Sequence, residues 1–334
     1  MKNVTMISRR SFLKAAMAAS AVSALALTGC GGAASSTVTA SSNASSAAAS
    51  AAAEGGQTFK VGIVNYVDHA SLNQIVESVE SRLDEIGKEK GVTFDYAGYY
   101  ANAQADQSNL NQIGADLVGD DVDVIVAVAT PTAATMLAAV EDTDIPVVYS
   151  AVTDPAAAGF DGEENITGTS DALNTEAIMK LITAVNPDID TIGLLYDLSQ
   201  DASTQAIADA KAFCDANGIK YIEKNGTTTA EVQMAAEALI ASGVKAVFTP
   251  TDNTVMTAEL SIYETFIEAG VQHYTGADSF ALNGAFVGYG VDYVQLGEAT
   301  ADMVAELLCE GKTTADLPYQ TFDCLLYTSD AADE

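Results

Sequence analysis

The sequence predicts an α/β protein with two lobes, each built on a parallel sheet that helices cover on both sides. From Phe59 onward, apolar runs of four to seven residues alternate with segments of helical periodicity, which is the rhythm of βαβ units. This rhythm starts again at Ile166, and the runs are together too numerous for one sheet. About 265 residues follow the low-complexity N-terminal stretch, and that length suits two lobes of ordinary size.

The first lobe is predicted from residues 58–167 together with a later return of the chain at residues 279–318. Its first helix has apolar residues every three or four positions along one face. These residues are Leu72, Ile75, Val76, Val79, Leu83 and Ile86. Residues 122–128 form a continuous apolar run, which is typical of a strand buried on both faces. The predicted strands are 60–64, 92–97, 122–128 and 145–149, and the further helices are 107–118 and 131–140.

The second lobe is predicted from residues 168–278. The strands predicted after the first lobe are 166–169, 191–196, 220–223, 246–249, 273–276 and 284–289, and the helices are 175–185, 202–217, 230–242, 254–269 and 294–308. The chain is expected to cross between the lobes near residues 168–171 and to return near residues 277–289. The whole pattern predicts two Rossmann-like lobes joined by several segments.

Residues 1–30 carry the features of an export signal. Residues 8–14 read SRRSFLK, a basic segment that matches the twin-arginine export pattern. The apolar run of 13 residues that follows is too short to span a hydrocarbon core of about 30 Å, and it ends in LTGC, which resembles a bacterial lipobox. Cys30 is therefore the expected lipidation site. Residues 31–57, nearly all Ala, Ser, Thr and Gly, are expected to form a flexible tether to the outer face of the cell membrane.

The charge balance is strongly acidic, with 14 basic and 46 acidic residues. Removal of the signal removes four basic residues and no acidic one, which leaves a net charge near −36. Nucleic-acid binding is excluded, because phosphate contacts need Lys and Arg. The four cysteines have no metal spacing and indicate no disulfide framework. No phosphate-binding or dinucleotide-binding glycine motif occurs, and neither a cofactor nor a metal is expected.

Polar side chains follow most of the predicted strands, at the edge where open α/β sheets bind ligands. Helix N-capping accounts for about half of them. It does not account for Tyr66, His69, Asp154 and Asp278. The candidate binding residues are Tyr66, His69, Thr130, Thr132, Ser150, Asp154, Asp171, Asp252, Asn253, Asp278 and Tyr289.

Several of these loops resemble the signature stretches of one family of ABC-transporter substrate-binding lipoproteins, whose members include tryptophan and tyrosine importer components. The stretches are DH at 68–69, ATP at 129–131, AVTDP at 151–155, GTSD at 168–171, PTDNT at 250–254 and YGVDY at 289–293. The resemblance covers residues 59–318. It implies the type I periplasmic-binding-protein fold, with a hinge of three crossing segments and a ligand in the cleft between the lobes. It also implies an ABC permease and its ATPase as partners.

A zwitterionic amino acid would make separate demands on such a cleft. Its carboxylate favours a helix N-terminus and hydroxyl groups, which Thr130, Thr132 and Ser150 are expected to supply. Its ammonium favours a carboxylate, and Asp252 is ranked before Asp171 and Asp278 because Asn253 follows it and could orient it; Asp252 could equally be a plain N-cap. An aromatic side chain favours a flat apolar wall, for which Tyr66 is the candidate.

The sequence leaves other functions open. The ligand could be a nucleoside, a sugar or an aliphatic amino acid, and the protein could be a sensory lipoprotein instead of an importer component. A hydrolase is disfavoured, because His69, Ser71 and Asp68 are too close in sequence to form a catalytic triad. The segment 324–334 has no apolar periodicity, and the chain departs from the family after Asp323. This tail is expected to be non-native and to add no closing strand or helix.

Overall fold

A computed structural model describes residues 56–328, and in it two mostly parallel sheets form the two lobes. The strands of the first sheet are β1 (Thr58–Asn65), β2 (Thr93–Asp95), β3 (Tyr100–Asn102), β4 (Val124–Val128), β5 (Val147–Ser150), β6 (Ile166–Ser170) and β12 (Gln320–Thr321). Their order is β12-β6-β5-β4-β1-β2, with β3 paired to the far end of β1, and all pairs are parallel. Helices of this lobe are α1 (Ala70–Lys90), α2 (Gln107–Gly119), α3 (Thr130–Ala139) and α9 (Tyr293–Glu310).

The second sheet has the order β13-β11-β10-β9-β7-β8. Its strands are β7 (Thr191–Tyr196), β8 (Lys220–Asn225), β9 (Ala246–Thr249), β10 (Gln272–Thr275), β11 (Val287–Gly290) and β13 (Leu325–Thr328). Only β13, at the edge beside β11, runs antiparallel to its neighbour. The helices are α4 (Thr175–Val185), α5 (Asp201–Asn217), α6 (Thr229–Ala241), α7 (Asn253–Glu268) and α8 (Asp278–Leu282). A short 3-10 helix, Thr314–Asp316, precedes β12. The predicted α/β class with two parallel sheets is confirmed.

The apolar patterns of the sequence are buried as their periodicity predicts. All five residues of β4 are buried, since helices cover both faces of the first sheet. On α1, the residues predicted to form one apolar face are all buried, and that face packs beside α9. The return of α9 therefore completes the core of the first lobe, although about 120 residues of the second lobe separate it from β6 in the sequence.

The close approach of α1 and α9 depends on Gly297. A Cβ atom at this position would lie 2.8 Å from the carbonyl oxygen of Ile75 and 2.8 Å from the Cβ of Ser78. We expect Gly297→Ala to destabilise the protein by about 1–3 kcal/mol, because overpacking forces the two helices apart. Thermal unfolding should show a melting temperature lower by several degrees. The control is Gly119→Ala, at the end of α2 with no atom within 4 Å of the added methyl group; an equal loss in both variants would contradict this account.

Three segments connect the lobes, and their positions correct the predicted boundaries. The first leaves the first sheet after β6, which extends to Ser170. The second returns between Gly290 and Tyr293, because α8 and β11 belong to the second lobe: Tyr274 of β10 pairs in parallel with Val287 of β11. Residues 279–290, which the sequence placed in the first lobe, therefore lie in the second.

The third crossing lies between β12 and β13, at residues 322–324. The absence of a closing strand in the tail was a wrong expectation, because Leu325–Thr328 pairs along β11. That the segment 324–334 is non-native remains a prediction. The predicted signal at 1–30, Cys30, all but the last two residues of the tether 31–57, and residues 329–334 lie outside the described residues.

Candidate functional site

A small, partly open cavity lies between the two lobes, at the edges of both sheets where the parallel strands end. The first lobe contributes the start of α1 and the residues after β4 and β5, and the second contributes the starts of α5, α7 and α8. The space that a water molecule can enter is about 20 Å³, little more than one water needs. The lobes are therefore closed on each other, and any ligand as large as an amino acid requires them to separate.

Five of the predicted binding residues line this cavity. They are His69, Thr130, Asp171, Asp252 and Asn253. Each lies at the end of a strand or the start of a helix, in loops that belong to both lobes and to the first crossing segment. The cavity therefore lies at the carboxyl ends of the parallel strands, the edge at which open α/β sheets bind ligands.

The hydroxyl and aromatic candidates Tyr66, Thr132, Ser150 and Tyr289 lie away from the cavity wall. Thr132 is fully buried within α3. The hydroxyl of Ser150 is hydrogen-bonded to that of Thr300 at 2.9 Å, under α9. Tyr289 on β11 lines a separate surface groove. Half-buried Tyr66 ends beside Gln200 of the other lobe, and burial raises its pKa.

The remaining two candidates, Asp154 and Asp278, use their carboxylates locally. An oxygen of Asp154 accepts a hydrogen bond from the backbone N–H of Ala157 at 2.9 Å, which closes a turn. Asp278 begins α8 and accepts from the N–H of Ser279 at 2.6 Å. Burial raises the pKa of Asp278, but this residue does not line the cavity. The positions of both carboxylates are explained by their hydrogen bonds to backbone N–H groups at the start of a turn and of a helix.

Asp252, the first-ranked partner for an ammonium group, is occupied by the second lobe itself. Its Oδ2 accepts hydrogen bonds from the N–H of Asp197 at 2.7 Å and from Ser203 Oγ at 2.6 Å. Its Oδ1 caps α7 by accepting from the N–H of Val255 at 2.9 Å. Asn253 does not orient this carboxylate but contacts His69 and Gln200. Burial raises the pKa of Asp252 to about 6.

Asp171 has a different environment, at the first crossing between the lobes. Its Oδ1 accepts from the hydroxyl of Thr153 at 2.9 Å, and its Oδ2 accepts from the hydroxyl of Tyr293 at 3.2 Å. Burial raises its pKa, because these two neutral donors compensate the charge only in part. No cation lies beside this carboxylate among residues 56–328, so it is suited to receive a positively charged group.

The N-terminus of α3 faces the same cavity through Thr130. The first N–H groups of a helix have no partner within it, and the buried hydroxyl of Thr130 has no hydrogen-bond partner in the described chain. Ala129, which precedes the helix, has φ +78°, and Ala151 after β5 has φ +59°. Both alanines line the cavity in a backbone conformation that costs about 1–3 kcal/mol for residues other than glycine. Backbone strain of this kind clusters at binding sites.

Sequence reasoning missed several residues of the cavity wall. Thr153 and Tyr293 hold Asp171, while Met256 and Phe280 provide apolar surface. Thr153 and Tyr293 lie within the AVTDP and YGVDY stretches, which was the available signal. Phe280 and Tyr293, rather than Tyr66, are the aromatic rings at the cavity.

Hydrogen bonds between the lobes close the cleft. His69 Nε2 lies 2.9 Å from Asn253 Oδ1, and the hydroxyls of Thr153 and Thr251 are 3.2 Å apart. The hydroxyl of Ser71 on α1 also contacts that of Ser279 on α8. Polar groups of α1 therefore meet the starts of α7 and α8 directly.

Two α/β lobes, three crossing segments and a polar cavity between the sheets define a substrate-binding protein of the type I periplasmic-binding-protein fold. The chain belongs to the ABC transporter substrate binding protein family, whose model matches residues 60–327. The family predicted from the loop motifs is therefore confirmed.

Three proteins are similar to this chain over most of its length. A tyrosine-binding protein of Clostridioides difficile (strain R20291) is 28% identical over 270 residues, which cover 79% of this chain and 76% of the relative. A Streptococcus pneumonia ABC domain solved in complex with L-Trp is 28% identical, with a TM-score of 0.75 over 83% of this chain and 93% of that one. A ligand-free, open structure of a Clostridium difficile substrate-binding protein with adhesive properties is also 28% identical, with a TM-score of 0.61 over 82% and 93%. At equal identity, the chain is thus more similar to the ligand complex than to the open form.

Across residues 56–328, no group of three or more His, Cys, Asp and Glu side chains is arranged to hold a metal ion. Within the same range, none of the helices combines the length and the apolar character needed to cross a membrane.

Proposed function

We propose that this protein captures an aromatic amino acid between its lobes and delivers it to the permease of an ABC importer. The observation that carries the proposal is that one cavity contains both a carboxylate and a hydrogen-bond donor that lack partners. Within the described residues, Asp171 is a buried carboxylate without a cationic partner, and the buried hydroxyl of Thr130 at the start of α3 has no hydrogen-bond partner. The ammonium and carboxylate of an amino acid satisfy both at once.

The aromatic preference rests on the cavity wall and on the relatives. Apolar and aromatic side chains line the cavity beside the polar groups; they are Leu72, Met256, Phe280 and Tyr293. Of the similar proteins described above, one is a tyrosine-binding protein and another was solved in complex with L-Trp. A nucleoside, a sugar or an aliphatic amino acid would leave either the carboxylate or the aromatic surface without its complement.

The mechanism is closure of the two lobes around the ligand. The cavity of about 20 Å³ cannot admit an amino acid, so entry requires rotation about the three crossing segments. Closure then buries the ligand between α1, α3 and α7, and the permease recognises the closed form. The ligand is released unchanged, because binding and presentation are the whole activity.

A panel of ligands tests this function directly. A compound that binds, present at a hundred times its Kd, stabilises the folded protein by about 2.7 kcal/mol. In a protein of this size that raises the melting temperature by roughly 5–10 °C. We expect L-tyrosine, L-tryptophan or L-phenylalanine to give this shift, and sugars, nucleosides and aliphatic amino acids to give none. A shift with a sugar or a nucleoside alone would reject the amino-acid class.

The proposed anchor is a lipid on Cys30. In the full-length chain, Cys30→Ala should move the protein from the membrane fraction to the soluble exported fraction, because the thioether attachment is lost. Fractionation followed by immunoblotting measures this, with Cys309→Ala as the matched control. Membrane retention of the Cys30→Ala protein would reject lipid anchoring at this residue.

A further inference from the structure

His69 joins the two lobes through a hydrogen bond that depends on its protonation state. It precedes α1 in the first lobe, and its Nε2 lies 2.9 Å from Oδ1 of Asn253, which starts α7 in the second lobe. Nδ2 of Asn253 donates to Gln200 Oε1 at 3.0 Å, which leaves its Oδ1 facing the imidazole. Oδ1 of Asn253 is therefore the acceptor, and Nε2 of His69 must carry the proton.

The other ring nitrogen of His69 must lack a proton. Nδ1 accepts the hydrogen bond from the backbone N–H of Leu72 at 3.4 Å and so caps α1. The ring is consequently the neutral tautomer with hydrogen on Nε2. A second proton on Nδ1 would oppose the N–H of Leu72, remove the cap and place a charge in the closed cleft.

We propose that His69 is a positioning residue that holds the lobes closed only while its imidazole is neutral, so that acid opens the cleft. This proposal rests on lobe closure as proposed above, but not on the identity of the ligand. Burial between the lobes lowers the pKa of His69 to about 4, against 6.5 for an exposed imidazole. The closed form is therefore fully favoured above pH 6.5, and its advantage is lost as the pH falls from 6.5 towards 4.

Other titratable groups around the cleft respond to acid in the opposite direction. Burial raises the pKa of Asp171 and Asp252, so protonation of these carboxylates favours the buried state. Asp68 lies beside His69 on its own loop, and Asp171, Asp252 and Tyr293 share the cavity wall with it. Tyr66 and Asp197 lie beside Asp252. The contribution of His69 must therefore be isolated by comparison with a variant that cannot titrate.

Two substitutions separate the functions of the two ring nitrogens. The amide nitrogen of His69→Gln reaches the position of Nε2 and keeps a donor for Asn253 without titrating. The side-chain oxygen of His69→Asn takes the position of Nδ1 and keeps the α1 cap, but it is too short to reach the second lobe. His69→Asn is therefore the matched control for a purely local role in the helix.

Single-molecule energy transfer can measure closure without any ligand. Dyes attached to Gln112→Cys on α2 and Gln205→Cys on α5 report the distance between the lobes, since both positions are exposed. The chain from residue 31 onward is used, with Cys214, Cys309 and Cys324 replaced by alanine. The closed-to-open ratio is recorded from pH 7.5 to pH 4.5.

We expect the closed-to-open ratio of wild type, divided by that of His69→Gln, to fall by up to about tenfold per pH unit below 6.5. His69→Asn should have a lower ratio than wild type at pH 7.5. Long-range ¹H–¹⁵N spectra should show the Nε2–H tautomer at His69, with His273 as the second of only two histidine signals. Equal pH profiles for wild type and His69→Gln, or equal closure of His69→Asn and wild type, would overturn the proposal. This experiment uses no ligand. A negative result in the ligand panel is therefore distinguishable from a failure of His69 to hold the lobes closed.

Discussion

Asp171→Asn is expected to weaken binding of the amino-acid ligand by at least 100-fold while the protein still folds. An ammonium group left unpaired in a closed cleft costs about 3–5 kcal/mol. The asparagine oxygen still accepts a hydrogen bond from Thr153 or Tyr293, which preserves the packing at the crossing segments. Isothermal titration with L-tyrosine or L-tryptophan measures the affinity, and the melting temperature of the free variant reports its folding.

Asp278→Asn and Asp252→Asn are the comparisons for this experiment. Asp278 is a buried carboxylate outside the cavity, so its variant should bind within a few-fold of wild type. Asp252 ties the start of α7 to Asp197 and Ser203, so Asp252→Asn should chiefly lower the stability of the second lobe. Full affinity in Asp171→Asn together with a strong loss in a well-folded Asp252→Asn protein would return the ammonium site to Asp252.

Thr130→Val is expected to change affinity and stability in opposite directions. In the part of the chain that the structure describes, the hydroxyl of Thr130 is buried without a partner, and its replacement by a methyl group of similar size removes an unpaired polar atom. The free protein should therefore be as stable as wild type or more stable. A hydrogen bond to a charged carboxylate contributes about 1.5–3 kcal/mol, so ligand affinity should fall by roughly 10- to 150-fold.

Thr132→Val provides a control two residues further along the same helix. Its hydroxyl is also buried and has no partner among the described residues, but Thr132 does not line the cavity. The control should gain the same stability and keep wild-type affinity. Equal affinities for the two variants would show that α3 does not bind the ligand carboxylate through Thr130.

Much of the fold was predictable because its signals are local. The apolar face of α1 and the fully buried β4 follow from the spacing of apolar residues alone. The return crossing was misplaced although a strand at 284–289 was predicted, because a local pattern does not show which sheet a strand joins. Gly288 and Gly290 occupy β11 since a Cβ there would lie 2.3 Å from the oxygen of Ala277 and 2.5 Å from that of Gly276. A requirement set by a neighbouring loop is invisible in a local sequence pattern.

The cavity was less predictable than the loops that form it. An aspartate before a helix is equally consistent with an N-cap and a ligand contact, and only the positions of Asp197 and Ser203 show that Asp252 is already occupied. Thr153 and Tyr293 meet Asp171 because separate crossing segments converge at the hinge. Such long-range contacts depend on the packing of the two lobes, which no single stretch of the sequence specifies.

Titration with L-tryptophan, followed by indole fluorescence, tests the central claim most directly. The chain contains no tryptophan, so the ligand is the only indole emitter in the complex. If an aromatic amino acid is enclosed between the lobes, its emission should shift to shorter wavelength and saturate at one ligand per chain. Competition by L-tyrosine should reverse this shift, and Asp171→Asn should abolish it at the same concentrations. Unchanged indole emission on addition of L-tryptophan, together with no binding of L-tyrosine in a parallel isothermal titration, would contradict aromatic amino-acid capture.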